Sequence, residues 1–504
     1  MPYPTAVADD LSSLRKRFTL LSDLDQVGGL LGWDEQTNLP ASASESRGRQ
    51  SAALEAVMHE KLTDREVGEW LARLEDADLE PADATLVRLC RRRYDRAVKL
   101  PGDLVEELAT QRSKGQEAWL RARRQNDYAI FEPFLRRMFE LARQQAELLG
   151  YDEHPYDALH DDYEPGSSAR RVGELFDRLR PELVRLAREV AGDDEQDAVL
   201  YRHFDIEQQK EFVRAEAARF GFDFERGRLD PSVHPFAEGI DPSDVRVTTR
   251  FRSDFLSSAL FATLHETGHA LYEQGLDPEL ARSPLGKAVS LGIHESQSRL
   301  WENLVARSLP YWRGAYPRLQ PLFPALEGVS LEEFYRAVNC VKPSLIRVEA
   351  DEVTYNLHVI ARFELELAML EGDLATADLP EAWNAKYREL LGIEPPDDLL
   401  GCLQDVHWSV GLIGYFPTYT LGNVMSVQIF EAARRSIPDL FDRIEAGDHV
   451  PLREWLKVNI HRQGSRYEPD ELLERVTGTR LDAAPYLAYL QNKFEDLRQP
   501  VGRA

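Results

Sequence analysis

The stretch FLSSALFATLHETGHALYEQ, residues 255–274, predicts an amphipathic helix near the middle of the 504-residue chain. Its apolar residues recur at helical spacings. Ser253 or Asp254 is a suitable N-cap, and Gly275 is a suitable C-terminal end. A glycine inside the helix, Gly268, costs about 1 kcal/mol relative to alanine. We therefore expect another segment of the chain to pass close to Gly268.

The same stretch contains the motif His-Glu-x-x-His, formed by His265, Glu266 and His269. On a helix the two imidazoles lie one turn apart on one face, with the carboxylate beside them. This geometry suits a zinc ion and the activation of a water molecule by Glu266. The alternative is a buried amphipathic helix in which both histidines are hydrogen-bonded.

A catalytic zinc ion needs a third protein ligand, and Glu295 is the candidate. It lies in an amphipathic segment, residues 291–302, far enough from His269 for the first helix to end and a second to return beside it. Glu302 lies two turns beyond Glu295 and either supports a ligand histidine or is a solvated charge. His294 precedes the ligand, so we expect it to point elsewhere, where it contacts substrate or only packs.

The rest of the chain predicts one catalytic unit, residues 1–504, that is mainly α-helical. No glycine-serine tract, proline-rich spacer or repeat divides it. Residues 104–120, 131–149 and 169–190 have helical patterns. We expect residues 1–230 to form helical walls and residues 231–504 to hold the metal site. One β-type alternation, residues 244–251, predicts a small β element before the metal helix.

The net charge of −26 argues against nucleic acid and anionic membranes as partners. No apolar run is long enough to span a membrane, and residues 1–18 lack the apolar core of a signal peptide. The cysteines, Cys90, Cys340 and Cys402, are odd in number and far apart, which is typical of reduced thiols. We therefore expect a cytoplasmic protein.

Several separate words of the sequence resemble those of the carboxypeptidase Taq family of metallocarboxypeptidases. Besides the His265–His269 motif and residues 294–297, the words are His234-Pro235-Phe236, Asp244-x-Arg246-x-Thr248, Ile346-Arg347-x-x-Ala350-Asp351 and Gly401-x-x-Gln404-Asp405-x-His407-Trp408. Residues 31–34 and 476–478 also fit. The resemblance covers nearly the whole chain, and the order and spacing of the words are more specific than any one word.

The resemblance implies a cytoplasmic, metal-dependent carboxypeptidase of broad specificity that releases single C-terminal residues from peptides. It also implies an almost entirely helical fold around a deep substrate groove, and a homodimer. By analogy His265, His269 and Glu295 bind the metal, normally zinc although cobalt can serve, and Glu266 is the catalytic carboxylate. These implications about fold and dimer come from the family alone.

A carboxypeptidase must recognise a free carboxylate, and a bidentate guanidinium does this best. Arg347 is the first candidate, on an expected helix over residues 344–370 in which Asp351, one turn on, holds it in position. A surface Arg–Asp pair is the alternative. Arg246 is the second candidate and Arg250 a weaker one.

A segment rich in glycine and aromatic residues, residues 404–419, can place hydrogen-bond donors against the developing oxyanion. We expect His407 and Tyr419 to act in this way, with Tyr415 as a further candidate. The alternative is a tightly packed turn whose aromatic residues belong to the core.

These residues predict a mechanism in which Glu266 takes a proton from a zinc-activated water and passes it to the leaving amine. In this mechanism Arg347 fixes the C-terminal carboxylate of the bound peptide, so that only the last peptide bond reaches the metal. The enzyme alternatives are a zinc oligoendopeptidase and a dipeptidyl carboxypeptidase. An alternative of another class is an inactive acidic helical scaffold.

Overall fold

The computed structural model describes residues 3–192 and 195–498, and it is mainly α-helical, as the sequence predicts. We number the α-helices of the described residues α1 to α20 in chain order. They are Thr5–Thr37, Ser44–Leu62, Arg65–Glu75, Pro81–Lys99, Gly102–Gln125, Glu132–Leu149, Pro155–His160, Ala169–Val190, Ile206–Phe220, Leu256–Gly275, Leu291–Arg299, Leu309–Leu319, Leu331–Val338, Tyr355–Glu371, Leu379–Leu390, Pro417–Ser436, Leu440–Ala446, Val450–Asn459, Pro469–Thr477 and Ala483–Leu497.

Three helices predicted in the N-terminal half are confirmed. The patterns at residues 104–120 and 169–190 fall within α5 and α8, and the pattern at residues 131–149 begins one residue before α6. Their apolar faces join a main hydrophobic core that extends from α5 to α20. A smaller core, which includes Leu14, Leu71 and Cys90, holds α1, α3 and α4 together. Within the described ranges, no helix has the length and apolar character that a membrane span requires.

A three-stranded sheet precedes the metal helix, and the sequence predicted only one of its strands. The strands are β1 (Gly227–Pro231), β2 (Ala237–Asp241) and β3 (Asp244–Thr249). The predicted strand β3 is central, parallel to β1 and antiparallel to β2. The sequence of β3 alternates between buried and less buried residues, with Val245 and Val247 buried. The sequences of β1 and β2 are short and lack this alternation, so they were not predicted. The expected division of the chain after residue 230 falls inside β1.

The metal helix α10 ends at Gly275, as predicted, but its first residue is Leu256. Phe255 precedes it without a side-chain cap, so neither Ser253 nor Asp254 has the predicted capping role. The close approach predicted at Gly268 is confirmed. A Cβ atom there would lie 2.6 Å from the Cα atom of Ser298, and this lets α10 and α11 pack backbone to backbone.

Helix α11 begins where Ser290 caps the backbone amide of Ile293. A second close approach lies on its other side, because a Cβ atom on Gly422 of α16 would lie 2.5 Å from Glu295 Cβ. The helix continues as a π-helical segment, Leu300–Ala306, in which the Arg307 amide donates to the Glu302 carbonyl. Such segments are rare and often mark functional sites.

The helix predicted over residues 344–370 is wrong in its first part. Arg347–Glu349 forms a separate 3₁₀ turn, and α14 begins only at Tyr355. The Asp351 carboxylate accepts the backbone amides of Val353 and Thr354, so it competes with helical hydrogen bonding at this point. This separation turns Arg347 toward residues 404–405 instead of along the helix.

Candidate active site

Three predicted metal ligands converge between α10 and α11. The ligand atoms of His265, His269 and Glu295 all lie within 4.8 Å of one another. The Oε2 atom of Glu295 is 3.2 Å from His269 Nε2 and 3.7 Å from His265 Nε2. Two imidazole nitrogens and one carboxylate oxygen are the donor set of a catalytic zinc site with an open position. The residues therefore fit a divalent metal.

Glu302 holds the first ligand, His265, from behind. Its Oε2 atom lies 2.9 Å from His265 Nδ1, which leaves Nε2 directed at Glu295. A proton on Nδ1 donates to this carboxylate and fixes the tautomer that a metal needs. Arg299 and Arg307 also donate to Glu302. Of the two roles considered for Glu302, these contacts favour the support of a ligand histidine over a solvated charge. The π-helical segment places the Glu302 side chain beside His265.

His294 and Glu273 hold the second ligand, His269. The Nδ1 atoms of the two histidines are 2.6 Å apart, and His294 Nε2 lies 2.8 Å from Glu273 Oε1. Because Glu273 can only accept, the chain of bonds gives His269 a proton on Nδ1 and leaves Nε2 for a metal. The prediction that His294 points elsewhere is wrong, because its Nδ1 atom faces the predicted ligand His269. Of the two roles considered for it, packing is the one that these contacts favour over substrate contact, since both of its ring nitrogens have protein partners.

The third ligand, Glu295, is oriented by two residues of its own helix. Arg299 Nε donates to Oε1 at 2.7 Å, and the Ser298 hydroxyl donates to Oε2 at 3.0 Å. Burial alone would raise the pKa of Glu295, but the charges of Arg299 and His265 hold it below its ordinary value. The carboxylate is therefore ionised and ready to bind a cation.

The carboxylate of the motif, Glu266, is not held by hydrogen bonds in the way that Glu295 is. The residue is 8% exposed, and its carboxylate makes no hydrogen bond to another described residue. Burial raises the pKa of Glu266 to about 7. A general base works best when its pKa lies near the operating pH. An unbonded carboxylate beside the metal ligands can accept a proton from water.

Arg347 is buried, and its partner is Asp405 instead of the predicted Asp351. Its Nε and Nη2 atoms lie 3.1 and 2.8 Å from Asp405 Oδ1, and Nη1 donates to the Tyr355 hydroxyl at 2.8 Å. Asp351 cannot hold Arg347, because its oxygens accept from Lys342, Val353 and Thr354. A guanidinium has five N–H groups, so Arg347 keeps one unpaired on each Nη atom within the described structure.

The other two candidate arginines lie at the sheet. Arg246 of β3 forms a bidentate pair with Asp244 at 3.0 and 2.9 Å, and its guanidinium lies 4.2 Å from the ring centroid of Trp33. Arg250 follows the strand and is exposed. Arg246 stays a second candidate for the carboxylate, with one edge of its guanidinium already occupied.

The predicted donors His407, Tyr415 and Tyr419 form one aromatic cluster. His407 Nε2 lies 3.1 Å from the Tyr419 hydroxyl, and the rings of Tyr415 and Tyr419 are 5.4 Å apart. Burial and the charge of Arg347 lower the pKa of His407 to about 3, so its ring is neutral at pH 7. Burial raises the pKa of Tyr415 to about 12 and also raises the pKa of Tyr419 well above its ordinary value, so both keep their protons. Protonated hydroxyls are the form an oxyanion needs.

Apart from Glu302, sequence reasoning missed several residues that hold the site together. Arg299 has a signal, since it follows the predicted ligand Glu295 by one helical turn. Glu273 lies one turn after His269 on the same helix and could also have been considered. Arg362 of α14 had no such signal, because its link to Asp405 joins elements that are distant in the sequence. Such contacts have no local signature.

Comparisons with known proteins agree on one family. The family model described as "Carboxypeptidase Taq (M32) metallopeptidase" matches residues 13–494. Thermostable carboxypeptidase 1 of Thermus thermophilus is 46% identical, over 98% of this chain and 99% of the relative. Carboxypeptidase 1 of Bacillus subtilis is 36% identical, over 95% and 96%. The crystal structure of an M32 carboxypeptidase from Deinococcus radiodurans R1 is 42% identical, with a TM-score of 0.93 over 97% of this chain and 99% of that one.

Proposed function

This chain belongs to the carboxypeptidase Taq (M32) family of metallopeptidases, and from that premise we propose that it releases single C-terminal residues from peptides with broad specificity. It is a metallocarboxypeptidase, an enzyme that hydrolyses peptide bonds. The alternative of an inactive acidic helical scaffold is therefore excluded. The specificity, the metal and the residue roles below are our proposal.

One observation supports the proposal most directly, namely that two side chains, Arg299 and Tyr355, link the predicted ligand Glu295 to Arg347. The guanidinium of Arg299, which binds the ligand Glu295, lies 4.2 Å from the Tyr355 ring centroid. The hydroxyl of the same Tyr355 accepts from Arg347. A peptide whose terminal carboxylate binds Arg347 would therefore place its last peptide bond near the metal ligands.

We propose zinc as the metal, held by His265, His269 and Glu295, with cobalt as a possible substitute. A zinc ion there supplies a Lewis acid that polarises the scissile carbonyl and makes water a stronger acid. Glu266 accepts a proton from the attacking water and hands it to the leaving amine, which its pKa of about 7 permits.

The remaining roles follow from position. The unpaired N–H groups of Arg347 bind the terminal carboxylate in a charge-assisted pair. The protonated hydroxyl of Tyr419, with Tyr415 and the neutral ring of His407 beside it, donates to the oxyanion that develops on the carbonyl. Arg246 is the second candidate for the carboxylate. We also propose a cytoplasmic homodimer, which the resemblance implies and buried thiols such as Cys90 and Cys402 suit.

Product analysis tests the proposed function. Peptides with free C-termini would be incubated with the enzyme, with and without a chelator, and the products identified by mass spectrometry. We expect a ladder of products that each lack one further C-terminal residue, and no products after chelation. Release of dipeptides would indicate a dipeptidyl carboxypeptidase, and internal cleavage of an amidated peptide would indicate an oligoendopeptidase.

A further inference from the structure

A second buried guanidinium lies behind Arg347 and shares the same carboxylate. Arg362 of α14 places Nε and Nη2 at 2.7 and 2.6 Å from Asp405 Oδ2. Arg347 occupies the other oxygen, Oδ1. Two guanidinium groups thus pair with one carboxylate, and the Arg347–Asp405–Arg362 cluster carries one positive charge in excess.

Arg362 cannot touch a substrate. It is 0% exposed, and its N–H groups are directed at protein acceptors. Besides Asp405, Nη1 donates to the His358 carbonyl at 2.7 Å and Nη2 donates to Gln404 Oε1 at 2.8 Å. The Tyr387 hydroxyl lies 3.4 Å from both Nη atoms. Any effect of Arg362 on the reaction must therefore act through Asp405 and Arg347.

The other partners of the cluster are neutral. Burial lowers the pKa values of His358 and His407, so neither ring offers a further positive charge at pH 7. The carboxylate one helical turn beyond Arg362, that of Glu366, accepts from Tyr156, Trp408 and the Gly414 amide instead of from Arg362. Burial raises the pKa of Glu366 to about 7. The excess charge is therefore poorly compensated within the described residues.

A buried charge without a partner is costly, because it has lost its water without gaining a counter-charge. An anion that reaches the unpaired Nη atoms of Arg347 removes this cost. If Asp405 were paired with Arg347 alone, the pair would be neutral and an incoming carboxylate would meet no net charge. The second guanidinium prevents this neutralisation.

We propose that Arg362 is a positioning and charge-balancing residue that makes Arg347 selective for the C-terminal carboxylate of the peptide. It occupies one oxygen of Asp405 and offsets the charge of this carboxylate, so that the charge of Arg347 is left for the substrate. This inference rests on the proposed role of Arg347, and the experiment separates the two.

The experiment changes the charge of the cluster in steps. The variants are Arg362→Met, with a neutral cluster, Arg362→Met/Asp405→Asn, which restores one positive charge, and Arg362→Lys, which keeps the wild-type charge without the fork. For each, kcat and KM are measured on an N-blocked peptide with a free C-terminus. Inhibition constants are measured for N-acetyl-leucine and N-acetyl-leucinamide. Metal content and the thermal midpoint report on folding.

We expect Arg362→Met to weaken binding of the acid inhibitor and raise KM at least about tenfold, the size of one charge-assisted hydrogen bond. The amide constant and metal content should stay at wild-type values, and kcat should change less than KM. The double variant should regain most of the acid preference, since the amide oxygen that replaces the Asp405 carboxylate can still accept from Arg347. A purely structural role would not give this recovery.

Two results would overturn the inference. One is an unchanged acid-to-amide ratio in Arg362→Met, and the other is no recovery in the double variant. If Arg362→Met does not fold, Arg362→Lys decides: a ratio near wild type supports the inference, and a tenfold loss contradicts it. If the wild type itself does not distinguish acid from amide, the proposed role of Arg347 fails instead.

Discussion

At the scale of single residues, two neighbouring carboxylates of the site have opposite environments. Glu295 receives hydrogen bonds from Arg299 and Ser298, which keep it ionised as a ligand. Glu266 has no such partner, and burial raises its pKa to about 7. The difference in hydrogen bonding suits the roles that we propose, with Glu295 as a metal ligand and Glu266 as the residue that exchanges a proton.

We expect Glu266→Gln to lower kcat at least about 100-fold, since general acid–base catalysis contributes roughly 10²–10⁴-fold. The amide has nearly the same shape but cannot take a proton. Metal content should stay at the wild-type level, because Glu266 is not placed among the ligands. Glu279→Gln, an exposed change just after the same helix, is the control. Unchanged kcat in the metal-replete variant would refute the assignment of Glu266 as the base.

The support behind each ligand should contribute less than the ligand itself. We expect Glu302→Gln to weaken metal affinity about 10–100-fold, the usual effect of losing a group that orients a ligand. Glu295→Gln should weaken it further, because a direct metal bond is lost. Competition with a chromogenic chelator measures both affinities. Equal affinities in Glu295→Gln and the wild type would place the third ligand elsewhere.

At the scale of elements, α10 and α11 must approach closely for the ligands to meet. Gly268→Ala would place a Cβ atom 2.6 Å from the Ser298 backbone. Despite the higher helix propensity of alanine, we expect a net loss of about 1–3 kcal/mol in the free energy of unfolding, together with weaker metal binding. Urea unfolding and chelator competition measure the two effects.

The matched control for this change is Gly173→Ala in α8, where a Cβ atom would meet nothing within 4 Å. There we expect a gain of up to about 1 kcal/mol from helix propensity alone. If Gly268→Ala also stabilised the protein and left metal binding unchanged, the close packing of α10 on α11 would not matter for the site.

The elements also show how far sequence reasoning reaches. The placement of His265 and His269 on one face of α10 could be predicted, because a motif with helical spacing is a local signal. The start of α14 at Tyr355 could not, since the Asp351 side chain that interrupts the helix looks like an ordinary helical residue in the pattern. Likewise, the pairing of Arg347 with Asp405 connects a turn to a distant segment, and no periodicity encodes it. The sequence singled out Asp405 only as part of a motif shared with the family, and not as a partner of Arg347.

At the scale of the whole molecule, a metal should stabilise the fold, because its ligands come together only in the folded chain. We expect chelation to lower the thermal midpoint of the wild type and zinc to restore it. Glu295→Gln should show a smaller response to the same chelator. If the thermal midpoint of the wild type stays unchanged after the chelator has removed all of the metal, the metal site adds nothing to stability.

The excess charge at Arg347 stands out against the −26 of the whole molecule. A free C-terminus bears a charge that the surface of this protein repels, so a local positive site must bind it. We propose that Arg347 supplies this site and thereby makes the enzyme a carboxypeptidase. Arg347→Lys should retain only part of the activity, because a point charge lacks the bidentate fork.

The most direct measurement is kcat/KM of the wild type, Arg347→Ala and Arg246→Ala on one peptide as free acid and as amide. We expect the wild type to cut the acid and not the amide. Arg347→Ala should lose at least about tenfold on the acid, because a charge-assisted hydrogen bond contributes roughly 1.5–3 kcal/mol. Full discrimination in Arg347→Ala, with its loss in Arg246→Ala, would contradict the claim and move the carboxylate site to β3.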